Sequence, residues 1–596
     1  MKKAISFLLI VLMCLTMSAC GAGSDSSSSN SGGRQEITFF AGIDTDTADF
    51  YQELVDTYNE NQGKVDGVYV NYKPKASNYD ADLSTVFAGT SVPDVITLSD
   101  QYFKGYTKQN YLYNIDELVK ASSLDLNKMP KNNVARFRIN WETKTAGNDN
   151  DPLYGVPNGS NPTFLYYNVD AFEAEKINII SISEEDLDNY NSSNSTSYMP
   201  HGYAEYSEDP GNGLVASTNI NGKTVYKVFN NQIPMNWSEL VNISKYLTKS
   251  YNPNSKTTYG FLSEWWFSHG WSVGGDCMNW DDSANQYVFT LGNEYTNYLV
   301  TKDTTINGHS YSAGDILSYA DKKYFAENGN AVSDELYALP SQYDAFAEFC
   351  ALSQVEGKAV DYVGKEGYGV SPSPATLGSY TNARFFTAES VAIVEEAIVN
   401  LNTIQKSTEG RFRWDVAPLY QYREFEGGDV DGNGNLKIIG EDGYTGELKY
   451  INDTAVVGKQ AGGDLNDCFA VPAKAANPEA AVKFIAWAAG SEGQAILSKS
   501  NAQTPNFTED GLTDEFLNSD LRPCENYRVV IKAQDYEDIG DWSYVEDGQW
   551  VNYWATILNS DVRNGDMPLN KFFANQEVTD YANINLQKYL IHIAGK

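Results

Sequence analysis

The sequence predicts an α/β protein of more than one domain, and three observations predict it. The chain opens with two amphipathic helical runs set between three short apolar runs, a βαβαβ order that signals an open α/β sheet. Its 596 residues exceed what one compact core accommodates. The stretch Pro152 to Asn168 (PLYGVPNGSNPTFLYYN) is extended, punctuated by proline and poor in helical periodicity, as expected of a crossing between domains.

Taken in order, Glu36 to Ala41 (EITFFA) reads as a buried strand, and Asp49 to Asn61 carries Phe50, Leu54, Val55 and Tyr58 at helical spacing. Tyr69 to Tyr72 is a second strand, Ala81 to Phe87 a second helix and Asp94 to Leu98 (DVITL) a third strand. Ligands bind such sheets outside the carboxyl ends of their strands, which points to the loops Gly42 to Asp46 and Ser99 to Tyr102. No GxGxxG or GxxxxGK[ST] follows the first strand, which argues against a nucleotide site. From Glu173 to Gln232 the chain turns polar and irregular, with an Asn221-Gly222 turn before TVYKVF, and is expected to be a surface excursion carrying a hairpin. Trp237 to Thr248 (WSELVNISKYLT) is an amphipathic helix, and the aromatic cluster Glu264 to Trp280 (EWWFSHGWSVGGDCMNW) falls on a loop. Trp414 to Leu419 reads as a strand, and Asn477 to Ala489 as a helix with Asn477 as N-cap and Pro478 in first position. From Trp550 the pattern is helical, with Asn570 to Leu590 as the last helix.

At the start of the chain, Met1 to Lys3 carry positive charge, and Ile5 to Met17 form an apolar run too short to span a bilayer but suited to a secretory signal. Ser18, Ala19, Cys20 and Gly21 resemble a bacterial lipobox, so residues 1–19 are expected to be removed and Cys20 acylated, the alternative being plain secretion. Residues 20–33 then hold the anchor and a Gly/Ser/Asn-rich coil spanning on the order of 20 Å.

Composition narrows the chemistry. With 43 Lys and Arg against 79 Asp and Glu, a net charge of −36 opposes nucleic acid and anionic headgroups. Cys277, Cys350, Cys468 and Cys524 lack metal-site spacing and allow any of three pairings or none. His201, His269, His309 and His592 are isolated, so zinc chemistry and a histidine triad are poorly supported. The largest excess is aromatic, with 41 Tyr, 26 Phe and 11 Trp. Most of these rings serve packing, but rings interleaved with Asn, Asp and Gly also suit sugars, which offer apolar C–H faces and hydroxyls together.

The landmarks VPDVITL (92–98), LYGVPNGSNPTFLYYN (153–168), MNWSEL (235–240), FRWDVAPL (412–419), GGDLNDCFAVPAKAANPEAAVKFIAWAAGSEGQ (462–494) and VRNGD (562–566) occur in a telling order. Through them the chain resembles the family-1 extracellular solute-binding proteins, the carbohydrate receptors of bacterial ABC importers. The resemblance implies an α/β, two-lobe periplasmic-binding-protein-like fold of the type II kind, with a ligand cleft between lobes. Residues 34–160 plus 416–505 would form lobe 1 and 161–415 plus 506–596 lobe 2. It further implies a monomeric receptor rather than an enzyme. The receptor would need no cofactor, sit at the extracellular face of the membrane by lipid on Cys20, and deliver its carbohydrate to importer membrane subunits.

In such receptors aromatics reach the cleft after the strand that follows the WSEL helix, which nominates Trp265, Trp266 and Trp271 for stacking, with core packing as the alternative. Trp550 and Trp554 are similar candidates, although i, i+4 is also ordinary core spacing. Polar candidates are Asp44, Asp100, Asn161, Glu264 and Asp464, each of which suits sugar hydroxyls, a helix cap or a turn equally well. The insertion Gly427 to Tyr444 begins like a calcium loop, with Asp429, Asp431 and Asn433 in place. Position 12 is Gly440, however, and Glu441 comes one residue late, so a β-hairpin is favoured over bound calcium. A surface-anchored glycoside hydrolase and a lipoprotein reporting ligand to a membrane sensor are the competing functions. The first lacks a local acidic motif within a βα repeat.

Overall fold

The computed structural model describes residues 31–43, 48–76, 79–218, 222–263, 267–275, 278–281, 286–292, 294, 296–306, 308–317, 334–353, 360, 365–463, 466–507, 516–517, 524–537, 549–586 and 592–593. The expected opening is present as β1 (Gln35–Ile43), α1 (Ala48–Glu60), β2 (Val68–Ala76), α2 (Leu83–Ala88), β3 (Val95–Ser99) and α3 (Asp100–Lys108). The run that reads VITLS is buried at four of its five positions, as a strand covered on both faces must be. Next come β4 (Gly155–Pro157), β5 (Thr163–Asn168), β6 (Ile177–Ile180), β7 (Tyr203–Tyr206), β8 (Ser217–Thr218), β9 (Thr224–Asn230), α4 (Trp237–Tyr246), β10 (Tyr259–Leu262) and α5 (Phe267–Ser272). They are followed by β11 (Val391–Ala397), β12 (Trp414–Ala417), β13 (Asp467–Ala470), α6 (Pro478–Ala488), α7 (Gln549–Ile557), α8 (Leu569–Phe573), α9 (Gln576–Leu586) and β14 (His592–Ile593).

Two sheets define two lobes. The first has the order β2-β1-β3-β13-β4, with β1 parallel to β2 and β3 and with β13 antiparallel to both its neighbours. The second has the order β10-β11-β5-β12, with β10 and β11 parallel and the other pairs antiparallel. Stretch 152–168 makes the expected crossing, because β4 lies in the first sheet and β5 in the second. The lobe-1 core gathers around Phe39, whose ring meets Phe469 of β13 at 6.0 Å and Phe484 of α6 at 5.3 Å.

Sheet membership differs from expectation at two boundaries. Strand β12 pairs with β5, and the Gln421 N–H donates to the Met235 carbonyl, so the chain stays with the second lobe from 416 until about Gly462. At the other end β14 pairs with Thr145 and Ala146 of the first lobe, so residues 506–596 do not belong wholly to the second. The excursion 173–232 is not irregular either. Strands β8, β9 and β6 form a sheet onto which β7 also pairs, closed over Ile182, Leu187, Tyr198, Ala204, Tyr206, Val228 and Ile233. The expected hairpin is its β8/β9 arm. Two local expectations shift as well. Asn477 precedes α6 but makes no side-chain cap, its N–H going instead to Asp94 Oδ1 at 3.1 Å. The terminal helix is broken into α8 and α9. Among the described residues no helix is long and apolar enough to cross a membrane.

Helix α4 is fixed at its start by a capping box. Asn236 Oδ1 accepts from the Glu239 N–H at 2.8 Å, and Glu239 Oε2 accepts from the Asn236 N–H at 3.1 Å. The other Glu239 oxygen meets His201 Nδ1 at 2.7 Å, while His201 Nε2 meets the Gly446 carbonyl at 2.8 Å. The buried ring is thus held at both nitrogens, between the helix cap and the Gly446 backbone. The helix then lies so close to β10 that a Cβ at Gly260 would run into the Ser244 backbone. Replacing Gly260 by Ala is expected to cost about 1–3 kcal/mol through this overpacking, read as a lower urea midpoint.

Candidate functional site

The carboxyl ends of the two sheets meet at a floor of crossing segments. Ser160 and Thr504 exchange backbone hydrogen bonds of 3.0 and 2.9 Å. The Asn161 N–H donates to Asn466 Oδ1 at 2.9 Å, and Asn161 Oδ1 accepts from the N–H of Val399, just past β11, at 3.2 Å. Asp100 stands at the head of α3, where Ser99 Oγ accepts from the Gln101 N–H, and its own N–H donates to the Asn466 carbonyl at 3.0 Å. The Asp100 carboxylate is fully buried and takes a 2.8 Å ion pair from Arg136 Nη1. Arg136 Nη2 lies 3.9 Å from Glu537, which also accepts from Asn466 Nδ2 at 2.9 Å. Glu537 arrives from the C-terminal part of the chain and pairs in parallel with Gly462. Two lobes are thus tied by a buried network that cannot be satisfied from either side alone. Lys104 sits beside it, and burial pulls its ammonium down to about 7.

A second buried cluster lies at the corresponding end of the second sheet. Leu262 of β10 pairs with Val394 of β11, which brings Ser263 beside Glu395. Glu395 accepts from Ser268 Oγ at 2.5 Å and from Tyr420 Oη at 2.9 Å. Tyr420 gives its only proton to Glu395, so His269 Nδ1, 2.9 Å from the same oxygen, is the donor to Tyr420. Burial raises the Glu395 carboxyl against the pull of its donors, and it lowers the His269 imidazole to about 3. The neutral imidazole therefore completes a chain of hydrogen bonds running from His269 through Tyr420 to Glu395.

These two clusters gather the flanks of the segments singled out in sequence. Ser263 and Phe267 bracket 264–266, and Gly463 and Asn466 bracket 464–465. The Gly462 N–H donates to the Tyr536 carbonyl at 3.2 Å.

Asp44, Glu264, Trp265, Trp266 and Asp464 lie outside the described residues, as does the side chain of Trp550 on α7. Of the others, Asp100 and Asn161 do meet, through Asn466, but as ties of the floor, with Asp100 wholly enclosed. Trp271 is 3% exposed and stacks on Phe267 at 5.3 Å. Trp554 is 1% exposed and sits among Phe289, Phe346 and Phe572. Both rings therefore fill the second lobe's core, and neither offers an open face. Sequence reading missed Arg136, Asn466, Glu537 and the Glu395–Tyr420–His269 chain. The one available signal was Glu395 within VAIVEEA, a charged residue in an apolar run and itself buried there.

The segment with calcium-loop spacing forms a hairpin closed by the Val430–Leu436 bridge. Asp431 Oδ1 accepts from the N–H groups of Asn433 and Asn435, Asp429 accepts from Asn236 Nδ2 at 2.6 Å, and Glu441 pairs with Lys223 at 2.6 Å. The acids go to three separate partners, and among the described residues no group of three His, Cys, Asp or Glu could hold a metal.

Comparison with known proteins bears on this geometry. Residues 44–315 match the family model described as bacterial extracellular solute-binding protein. No curated protein matches the chain. Among solved structures, an ABC substrate-binding protein from Listeria monocytogenes in complex with cycloalternan is 15% identical with a TM-score of 0.51, covering 92% of this chain and 98% of that one. The sugar-binding protein MalE from Xanthomonas citri is 13% identical with a TM-score of 0.51, covering 93% and 98%. A sugar transporter protein from Rhizobium etli in an open conformation is 13% identical with a TM-score of 0.50, covering 93% and 98%. At such identities the likeness is one of fold, the α/β periplasmic-binding-protein fold. The chain as a whole therefore has the α/β periplasmic-binding-protein fold, and its residues 44–315 are similar to the bacterial extracellular solute-binding proteins.

Proposed function

We propose that this receptor captures a carbohydrate, an oligosaccharide rather than a single sugar, between its lobes and delivers it to the membrane subunits of an ABC importer while held at the outer face of the membrane by acylated Cys20. The observation that carries the reading is the floor itself. The carboxyl ends of both sheets meet there over paired crossing strands, the place where open α/β sheets take ligands. Glu264, Trp265 and Trp266 follow Ser263, and Asp464 follows Gly463, so in this reading rings and carboxylates are supplied from strand ends that border the floor. Asp44 follows β1 in the same sense. Sugar-binding proteins among the structural relatives give the choice of ligand class its support. Closure stabilised by sugar follows only from contacts that the open form cannot make, so the shift in population equals the differential affinity. Each methylene of an acyl chain on Cys20 would add about 0.8 kcal/mol of membrane binding.

A thermal-shift screen against mono- and oligosaccharides tests this. A ligand at 100 times its dissociation constant is expected to add about 2.7 kcal/mol of stability. That gain should be reduced in a Trp265→Ala, Trp266→Ala double variant. A complete panel without any shift contradicts the reading.

A further inference from the structure

We infer that the second lobe carries an accessory site for a neutral, hydroxylated ligand of the size of one or two sugar rings, separate from the floor between the lobes. A cavity of about 400 Å³ opens between the first turn of α4 and the loop from Tyr422 to Asp429, with Lys449 on its rim. That volume falls in the roughly 300–1,000 Å³ range of small-molecule pockets. Both walls belong to one lobe, since 416 to about 462 stays with the second sheet, so occupancy requires no lobe closure.

The lining specifies the ligand's chemistry. Trp237 supplies a half-buried aromatic platform, held by His269 stacked at 5.9 Å and by Tyr422 edge-on at 5.3 Å. Its Nε1–H is buried without a hydrogen-bond partner. Arg423 is 4% exposed and spends its two terminal nitrogens on Glu184, at 3.0 and 2.8 Å, which leaves its buried Nε–H also without a partner. Two orphaned donors on side chains lining one cavity fit acceptor oxygens of a ligand, since leaving them unmet is costly. Asp429 stands opposite as an acceptor. The charged groups of the lining are Arg423, Lys449, Glu424 and Asp429, two of each sign, and Glu424 is pinned by Lys449 at 2.8 Å and Tyr422 at 2.6 Å. This balance favours a neutral guest over an anion or a cation. Gly427 and Gly428, at φ of +74° and +71°, keep their wall free of side chains, and a Cβ at either would meet nothing within 4 Å. A ring face, orphaned donors and a carboxylate around a neutral space are what a pyranose with its C–H face and hydroxyls would fill.

The test is equilibrium dialysis of the full folded chain against labelled glucose, cellobiose and maltotriose, with inorganic phosphate as competitor. Two equivalents of sugar per chain are expected, neither displaced by phosphate. Ser238→Trp, which fills the cavity from its edge, and Asp429→Ala should each abolish one equivalent and leave the other's affinity unchanged. Trp237→Phe should weaken that same equivalent roughly threefold to tenfold by removing one hydrogen bond. Melting curves check that each variant folds, and Asp429→Ala carries the test if Ser238→Trp does not. A single equivalent in the parent protein, insensitive to Ser238 and Asp429, overturns the accessory site while leaving the inter-lobe reading intact. Two equivalents that survive both variants, displacement by phosphate, or no binding of any of the sugars overturn it as well.

Discussion

Arg136→Leu is expected to lower the stability of the protein by about 3–5 kcal/mol, the usual cost of breaking a buried ion pair from one side. Asp100 and Arg136 are both enclosed, at 0% and 1% side-chain exposure, and their 2.8 Å contact leaves Asp100 no route to water. Removing the guanidinium also takes the nearby cation from Glu537 at the junction of the lobes. Urea titration followed by tryptophan fluorescence reads the loss. The double variant Arg136→Leu, Asp100→Leu should recover much of it, because an apolar pair of similar volume no longer buries an unmatched charge. A loss below about 1 kcal/mol in Arg136→Leu would mean that the pair does not bind the floor together.

His269 is expected to make the protein acid-labile. Its ordinary value is 6.5, and burial, helped by the positive Lys365, lowers it to about 3 in the folded protein. Between those values the unfolded chain holds the proton and the folded chain does not, so stability falls as pH falls, by about 1.4 kcal/mol per pH unit. The contribution is present in full above pH 6.5 and is lost towards pH 3. Glu395, whose carboxyl is raised by the same burial, works in the opposite direction, as protonation there favours the folded state. A comparison of the parent with His269→Phe separates the two. Between pH 7 and pH 4 the parent should lose about 3 kcal/mol more than the variant. Parallel pH profiles would show that the imidazole is not held neutral.

Much of the framework was legible because it is written locally. The first three strands are short apolar runs, α6 begins at an Asn-Pro pair, and the crossing at 152–168 shows in its prolines. What escaped depends on partners distant in sequence. The 416–462 stretch belongs to the second lobe because Val416 and Ala417 pair with Tyr166 and Leu165, and no local signal encodes that pairing. The sheet built from 173–232 hides among Asn and Ser because its inward residues are mostly tyrosines and single aliphatics. At the floor, Asp100 was visible as a residue after a strand, but its partner is 36 positions away, and Asn466 reaches Glu537 across 71. Trp271 and Trp554 show the converse. Ring type and spacing suited a cleft and a core alike, and tertiary packing settled them in the core.

Small-angle scattering of the purified protein, with and without the sugar that gives the largest thermal shift, tests most directly whether two lobes shut over a captured carbohydrate. The radius of gyration is expected to fall on addition of saturating sugar. Superimposable curves in the presence of a sugar that still raises the melting temperature would place binding elsewhere than between the lobes and contradict the account.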